Sequence, residues 1–328
     1  MANLETKYLG LTLKNPIVVS SSGLTNSVDK IGKLVEAGAG AVVLKSLFEE
    51  QINHEINNII YKGEGFDYPE AADYVKGYTR DNSVADYLKL ISETKKQYDI
   101  PVIASINCFS SDEWVDFAQQ IEAAGADALE LNVFVLNTDK NSDPEAYEQL
   151  YVDVVTNVSK VVKMPVSVKL GLYFSNLVKV VNRLSVSGAK GVILFNRFYE
   201  PDIDINKMAL TSAEVLSSPA DMRRTLRWVA ITSDKVHNID ISASTGVHDG
   251  AAVVKQLLAG ATSVQTCSAV YKHGPKVITE MLDTLNQWME EKEYNTIDEF
   301  RGLMSYSKIE NPALYERAQF MKYFSSYE

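Results

Sequence analysis

The stretch Ala124–Asn137 reads A-G-A-D-A-L-E-L-N-V-F-V-L-N and decides the fold. An amphipathic helix pattern ends at Gly125, and a short apolar strand is predicted from Ala128 to Leu131. The strand delivers Asn132 and a loop with polar ends. This arrangement is typical of one strand-to-helix step in an α/β fold, in which functional residues lie where the strands end.

The same step recurs along the chain. A Gly-Ala pair ends a helix pattern before four apolar strands, at Gly38-Ala39, Gly125-Ala126, Gly188-Ala189 and Gly260-Ala261. A proline or asparagine precedes four others, at Pro16, Pro101, Pro165 and Asn238. Strands within each pair start about 25 residues apart, the length of a βα unit. Four such pairs predict a single eight-stranded (β/α)8 barrel, also called a TIM barrel.

Segments outside the eight βα units are predicted at the N-terminus, in two long connections and at the C-terminus. Alternation around Gly10 predicts an N-terminal hairpin over Leu4–Lys14. Two connections are too long for simple loops, Ser46 to about Asn82 after the second strand and Arg197–Ser217 after the sixth, and such segments usually cover a site or form subunit contacts. We expect the barrel to occupy residues 1–295. Residues 296–328 are predicted to form a helical C-terminal extension that packs on it.

The composition limits the class of partner. The 328 residues carry a formal net charge of −11, which disfavours nucleic acid or an anionic membrane as the main partner and favours a small molecule. Cys108 and Cys267 are the two cysteines, so a disulfide framework is not expected. The N-terminus lacks the continuous apolar core of a signal peptide, and no apolar run reaches bilayer length. We therefore expect a cytoplasmic protein.

The strand ends carry polar residues that point to one kind of ligand. Two lysines and three asparagines follow predicted strands, at Lys45, Lys169, Asn107, Asn132 and Asn196. The last two strands end in small residues, Ser244-Thr245-Gly246 and Cys267-Ser268, whose backbone N–H groups suit a phosphate. Amides, a cation and a phosphate site at one mouth are what FMN binding requires, because a lysine stabilises negative charge on the reduced ring.

Several motifs together resemble the dihydroorotate dehydrogenase family, including the pyrimidine-reducing domain of dihydropyrimidine dehydrogenase. They are V-V-L-K-S at Lys45-Ser46, A-L-E-L-N at Asn132, P-V-S-V-K-L at Lys169, I-L-F-N at Asn196, the S-T-G-V turn and Q-T-C-S-A. The resemblance runs from about Leu4 to Leu285 and is closest to the soluble class. It implies an FMN-containing, homodimeric barrel of pyrimidine metabolism that moves a hydride between flavin N5 and the C5–C6 bond of a dihydropyrimidine.

The strand-end positions and the resemblance together predict roles for residues of this sequence. Predicted cofactor-binding residues are Ser22, Gly23, Lys45, Ser46, Asn107, Asn132, Lys169, Asn196, Thr245, Gly246, Cys267 and Ser268. Predicted catalytic residues are Lys45, Asn132, Asn196 and Arg197. The histidines His54, His237, His248 and His273 show no metal-ligand spacing, so no metal site is predicted.

Three positions depart from the family pattern. Val135 stands where the family places a Cys or Ser base, and valine cannot accept a proton. The second-strand excursion reads G-E-G-F-D-Y-P from Gly63 to Pro69 in place of the family's Asn-x-Met-Gly substrate segment. Arg197 follows Asn196 where the family often has a small hydroxyl residue, and it either clamps an anionic group or is a surface charge. FMN binding is therefore better supported than dihydroorotate oxidation.

Three functions remain open on the sequence. The leading one is an FMN-dependent oxidoreductase that acts on a pyrimidine-like or other activated C=C substrate, with Cys108 or His54 as residues to test for a replacement base. The second is a lyase in which Lys169 forms a Schiff base with a carbonyl substrate. The third is a flavin-binding protein without dihydroorotate turnover.

Overall fold

The computed structural model describes residues 2–48, 69–107, 111–133, 135–136 and 138–317, with the backbone alone described at 48, 69–81 and 111–113. The strands are β1 Thr6–Tyr8, β2 Leu11–Leu13, β3 Ile17–Val19, β4 Ala41–Val43, β5 Leu47–Phe48, β6 Val102–Asn107, β7 Ala128–Asn132, β8 Val166–Leu170, β9 Gly191–Leu194, β10 Pro201–Asp204, β11 Ala209–Ser212, β12 Asp240–Ser244 and β13 Ser263–Thr266. The helices are α1 Val28–Glu36, α2 Pro69–Gln97, α3 Ser111–Ala123, α4 Pro144–Val161, α5 Leu177–Val186, α6 Met222–Lys235, α7 Gly250–Ala259, α8 Ser268–His273, α9 Lys276–Glu291 and α10 Ala313–Glu316.

Eight parallel strands close into a barrel. Their order is β4, β3, β13, β12, β9, β8, β7 and β6, and pairing of β4 with β6 completes the ring. The short β5 adds a further parallel pairing to the end of β6. The predicted (β/α)8 fold is therefore confirmed.

Glycine explains why the helices stop where the pattern predicts. The four predicted stops have positive φ angles, 98° at Gly38, 93° at Gly125, 117° at Gly188 and 111° at Gly260. These values belong to the left-handed region, where a side chain is strained, so glycine ends each helix at little cost. The chain then turns directly into β4, β7, β9 and β13.

The β1–β2 hairpin closes the amino-terminal end of the barrel. Tyr8, Leu9 and Leu13 are buried and pack against residues that point inward from the barrel strands, among them Val43 and Ile103. The backbone N–H of Leu9 also donates to Asp240 Oδ2 at 2.7 Å, at the start of β12. Because this end is filled, a ligand has access to the barrel axis from the carboxyl end.

The sixth-strand excursion is described in full and the second-strand excursion in part. The sixth-strand excursion contains β10 and β11, which form an antiparallel hairpin pairing Ile203 with Leu210. The second-strand excursion begins with β5 and leads into the long helix α2. Residues 49–68 lie outside the described residues, and they include all of the G-E-G-F-D-Y-P segment except Pro69. No helix of the described part is long and apolar enough to cross a membrane.

The described part of the tail is less helical than its pattern predicts. Between Thr296 and Arg317 it contains one 3-10 turn, Ile297–Glu299, and the four-residue α10. Its backbone N–H groups donate to helices of the barrel instead, from Gly302 to Leu257 O at 3.0 Å and from Met304 to Leu258 O at 2.8 Å. These bonds replace the intrahelical bonds that a helix requires. A domain boundary at residue 295 stays a prediction, and residues 318–328 lie outside the described part.

Candidate active site

A cavity opens at the carboxyl end of the barrel, where five strands deliver polar residues into it. Ser20 follows β3, Lys169 lies in β8, Asn196 follows β9, Ser244 ends β12 and Gln265 lies in β13. Hydroxyl, amide and backbone groups dominate the lining, and its described residues include no carboxylate and no imidazole. The cavity is therefore suited to a ligand that carries negative charge.

Lys169 forms the centre of a buried polar network below the cavity. The residue is 7% exposed, and Nζ donates to Ser20 Oγ at 3.0 Å and to Gln265 Oε1 at 3.5 Å. Glu130 Oε1 lies 3.6 Å from Nζ and forms an ion pair with it. Gln265 Nε2 donates to the other carboxylate oxygen, Oε2, at 2.7 Å. One ammonium is thus held from three sides while it still lines the cavity.

Sequence reasoning missed Glu130 and Gln265. A usable signal existed, because side chains alternate between the two faces of a strand. Glu130 stands two residues before Asn132 in β7, so both point to the barrel interior. Gln265 has the same relation to Cys267 at the end of β13.

The two asparagines contact each other at the rim. Asn196 Nδ2 donates to Asn132 Oδ1 at 2.8 Å, and both side chains are half-buried. Asn132 also pairs in register with Lys169 on the neighbouring strand. The predicted amides and one predicted lysine are therefore adjacent, as their positions at strand ends require.

The proposed phosphate side lies on the last two strands. Thr245 and Gly246 have positive φ angles of 74° and 83°, and the Thr245 hydroxyl donates to Phe195 O at 2.9 Å. A Cβ on Gly246 would lie 2.2 Å from the backbone nitrogen of Met222, so a side chain does not fit there. Cys267 and Ser268 lie opposite and line the same cavity.

Cys267 is a poor proton acceptor in this setting. Burial raises the pKa of its thiol, and the neighbouring Ser22 hydroxyl and Lys169 charge oppose this shift only in part. Gly23, next to Ser22, would place a Cβ 2.9 Å from the hydroxyl oxygen of Tyr271, which also lines the cavity. Ser22 and Gly23 are thus close to the predicted phosphate side.

The residues after the second and third strands lie at the same barrel end but outside the cavity lining. The Lys45 side chain is exposed and has no hydrogen bond or ion pair within the described residues. The Ser46 backbone N–H donates to Ser21 Oγ at 2.9 Å, and its hydroxyl shares a 2.7 Å hydrogen bond with Ser105. Asn107 is buried at the end of β6. Ligand roles for Lys45, Ser46 and Asn107 stay predictions.

Arg197 lines the cavity, but its described hydrogen bonds go to its own excursion and to Asp221 just beyond it. The guanidinium donates to Glu214 O at 2.6 Å, Val215 O at 3.2 Å and Asp221 Oδ2 at 3.3 Å. Arg197 therefore ties the base of the β10–β11 hairpin to the rim of the cavity. A clamp on a substrate anion stays a prediction.

Tyrosines of α4 hold the loop that carries Val135. The Tyr147 hydroxyl donates to Val135 O at 3.0 Å, and the Tyr151 hydroxyl donates to Val133 O at 3.2 Å. Both rings contact Phe174. Val135 is half-buried in this cluster and offers no proton acceptor. Cys108 and His54, the predicted residues to test for a replacement base, lie outside the described residues.

A second contact that sequence reasoning missed closes the end of the sixth excursion. Ser217 is buried, its hydroxyl hydrogen-bonds His248 Nε2 at 3.0 Å, and its backbone N–H donates to Ser268 Oγ at 3.0 Å. Lys272 Nζ donates to Ser217 O at 2.9 Å. Burial, followed by the Lys272 charge, lowers the pKa of His248. These bonds attach the excursion to the predicted phosphate side.

Comparison with known proteins identifies the relatives of this chain. The family model described as dihydroorotate dehydrogenase matches residues 3–289. The chain is 26% identical to the catalytic subunit of dihydroorotate dehydrogenase B (NAD(+)) from Thermoplasma volcanium over 321 residues, covering 92% of this chain and 99% of that protein. The corresponding subunit from Pyrococcus horikoshii is 28% identical, with 92% and 97% covered. A putative dihydroorotate dehydrogenase A (fumarate) from Aeropyrum pernix is 27% identical, with 91% and 96% covered.

The match covers the whole barrel, including every strand that lines the cavity. It agrees with the extent of the motifs found in the sequence and confirms the resemblance drawn from them. The chain therefore belongs to the dihydroorotate dehydrogenase family and is a flavin-dependent oxidoreductase that acts on CH–CH bonds.

Proposed function

We propose that the cavity binds FMN and that the enzyme exchanges a hydride between flavin N5 and a small pyrimidine-like or other activated C=C substrate. Family membership and the convergence of Lys169, Asn196, Thr245-Gly246 and Cys267-Ser268 on one cavity support this proposal. The convergence is the observation that carries it. When bound, FMN supplies the group that accepts or donates the hydride.

The chemistry of the donors fits FMN. Lys169 and the Asn132–Asn196 pair are positioned to meet the polar edge of a flavin ring, since they share one side of the mouth. The backbone around Gly246 and Ser268 would hold the phosphate. No carboxylate is among the described residues that line the cavity there. A carboxylate there would repel the phosphate, so the charge pattern supports an anionic cofactor.

The position of Val135 supports a substrate other than dihydroorotate. Oxidation of dihydroorotate requires removal of a proton from carbon, and a missing base costs roughly 10²–10⁴-fold in rate. Val135 cannot serve, and the raised pKa of Cys267 keeps that thiol protonated. The described residues of the site are better suited to reduction of an activated C=C bond, with the proton supplied by water. The Asn132–Asn196 pair would orient a polar substrate.

The structure offers no support for the Schiff-base alternative. A Schiff base requires an amine that is free to attack a carbonyl group, whereas the Lys169 side-chain nitrogen is engaged by Glu130 and by hydrogen bonds to Ser20 and Gln265. Flavin binding without turnover remains the alternative that experiment must separate from the proposal.

The test has two stages. The first is to purify the protein, release any bound cofactor and identify it by chromatography and mass spectrometry. The second is to mix the holoprotein anaerobically with dihydroorotate, NADH and other reductants while following flavin absorbance near roughly 450 nm. We expect bound FMN, slow or no bleaching by dihydroorotate, and reoxidation of the reduced protein by an activated alkene.

Each result has a separate meaning. Lys169→Met should lose most FMN affinity, and the exposed Lys179→Met, on helix α5, should not. Rapid bleaching by dihydroorotate would contradict the proposed change of substrate. Reduction without reoxidation by any alkene would support flavin binding without turnover. Purified protein that neither contains FMN nor binds added FMN would refute the proposal.

We also propose that a second copy of this chain covers the β10–β11 hairpin. Ile203 and Leu210 face each other across the two strands and are 63% and 76% exposed, and Ile205 and Met208 at the tip are 81% and 89% exposed. An isolated two-stranded hairpin is marginally stable, so such a surface indicates a partner. Two copies related by a two-fold axis would bury the same apolar face on both sides.

The composition supports one further element of the proposal. A net charge of −11 and two cysteines are typical of a protein of the reducing cytoplasm, where we place this enzyme.

A further inference from the structure

The buried carboxylate of Glu130 has no part in the function proposed so far. It is 1% exposed, lies in β7 directly below the cavity and faces the Lys169 ammonium at 3.6 Å. That distance is too long for a hydrogen bond, and Oε1 has no hydrogen-bond partner among the described residues. A buried carboxylate oxygen without a hydrogen-bond partner costs folding free energy, so its presence here needs an explanation.

Strand register places Glu130 below Lys169 with respect to the cavity. Glu130 pairs with Ser167, and Asn132 pairs with Lys169, so the carboxylate lies one inward-facing layer deeper than the ammonium. Gln265 Nε2 holds the second carboxylate oxygen at 2.7 Å, and the carboxamide oxygen of Gln265 accepts from Ser20 at 2.9 Å. The carboxylate therefore cannot turn toward the cavity without breaking the bond to Gln265.

We propose that Glu130 is a positioning residue that sets the reduction potential of the flavin through Lys169. The inference rests on the proposed FMN site. A ligand in the cavity experiences the charge of Lys169 together with the opposite charge behind it. Glu130 thus reduces the positive field that Lys169 exerts on a reduced, anionic ring, and it keeps the potential lower than a lone ammonium would.

Glu130 also holds the ammonium in one place. Lys169 lies between the carboxylate and Ser20, so its long side chain is constrained although it lines an open cavity. Because Glu130 acts on the ammonium and is not among the residues that line the cavity, replacement of Glu130 should alter the potential more than the substrate affinity.

The test is a measurement of the two-electron potential of the FMN-bound protein in three variants. Glu130→Gln keeps the size and the contact with Gln265 but removes the charge. We expect its potential to rise by roughly 30 mV or more above that of wild type, which corresponds to about a tenfold increase in the ratio of the affinity for reduced FMN to that for oxidised FMN. Glu130→Asp keeps the charge but moves it away from Lys169, so its potential should lie between those of wild type and Glu130→Gln. That variant tests the same direction if Glu130→Gln does not fold.

Glu148→Gln is the matched control. Glu148 is 8% exposed and forms a 3.6 Å ion pair with Arg183 away from the cavity, so its loss removes the same charge from a similar setting. Its potential should equal that of wild type. An unchanged or lowered potential in both Glu130 variants, with FMN bound, overturns the role of Glu130 alone. Absence of FMN from the wild-type protein overturns the proposed function and this inference together.

Discussion

Charged and polar side chains at the carboxyl end of the barrel differ in their burial and in the groups to which they bind. Lys169 and Lys45 both follow the motif of the family, yet Lys169 is buried in a network and Lys45 is exposed. Arg197 is bound to carbonyl groups of its own excursion, so its charge stabilises a loop. His248 hydrogen-bonds Ser217 beside the predicted phosphate side. The same residue type at a strand end can therefore serve a ligand or the protein itself.

His248 should make stability depend on pH. Its pKa is lowered below the ordinary value of 6.5 by burial, so the unfolded chain binds a proton more readily than the folded one. Stability is then fully present above 6.5 and is lost as the pH falls through that value toward the folded-state pKa. His248→Gln should lose less free energy of unfolding than wild type over this interval.

Urea unfolding at about one pH unit above and below the ordinary histidine pKa measures the difference. The exposed His237→Gln serves as the control and should keep the pH dependence of wild type. Equal pH dependence of wild type and His248→Gln would show that the Ser217 contact does not depend on the protonation state of this ring.

At the level of elements, the β10–β11 hairpin stands apart from the barrel. Its apolar residues are exposed, while Arg197 and the segment Val215–Ser217 at its base line the cavity. Ser217 is further bound by Ser268 and Lys272. A partner that covers the hairpin would therefore stabilise one wall of the site, since the hairpin and the wall form a continuous segment.

Leu210→Asp should break the proposed dimer. Leu210 lies on the apolar face opposite Ile203, and burial of a carboxylate there would weaken association on the order of 100-fold or more. Light scattering after size exclusion, over a series of protein concentrations, measures this change. Thr211→Asp places the same charge on the other face of β11 and should leave the dimer intact. A monomeric wild-type protein, or a dimeric Leu210→Asp, would exclude this face as the interface.

In the molecule as a whole, the two ends of the barrel differ in polarity and in function. The amino-terminal end is filled by the β1–β2 hairpin, whose Tyr8 and Leu13 are fully buried. At the carboxyl end, the described residues form the polar cavity. Near the amino-terminal end the inward-facing side chains are apolar, as at Val43 and Ile103. Toward the carboxyl end they are charged, as at Glu130 and Lys169, and the cavity lies above them. Packing at the amino-terminal end thus stabilises the barrel, and the carboxyl end carries the candidate active site.

Leu13→Ala should destabilise the whole barrel. The side chain is 0% exposed, and its truncation leaves a cavity that costs about 2–5 kcal/mol of the free energy of unfolding. The exposed Thr12→Ala in the same strand should change it by less than about 0.5 kcal/mol. Denaturant unfolding followed by circular dichroism compares the two variants. A loss below about 1 kcal/mol for Leu13→Ala would show that the hairpin is not part of the core.

The sequence alone determined the order of strands and helices, the barrel and the residues at the strand ends. These depend on local features, namely the apolar period, the helix-ending glycines such as Gly125 and Gly260, and the residue that follows each strand. The tail was the exception, because its backbone bonds go to the barrel helices.

Only the tertiary structure decided which of those residues share the cavity. Glu130 and Lys169 meet across neighbouring strands, and Gln265 reaches the same ammonium from a strand 96 residues further along the chain. The bonds of Arg197 also depend on tertiary structure, because its partners lie 17 to 24 residues further along the chain. A local pattern specifies the face on which a side chain lies, whereas its partners follow from closure of the ring, which brings strands distant in sequence together.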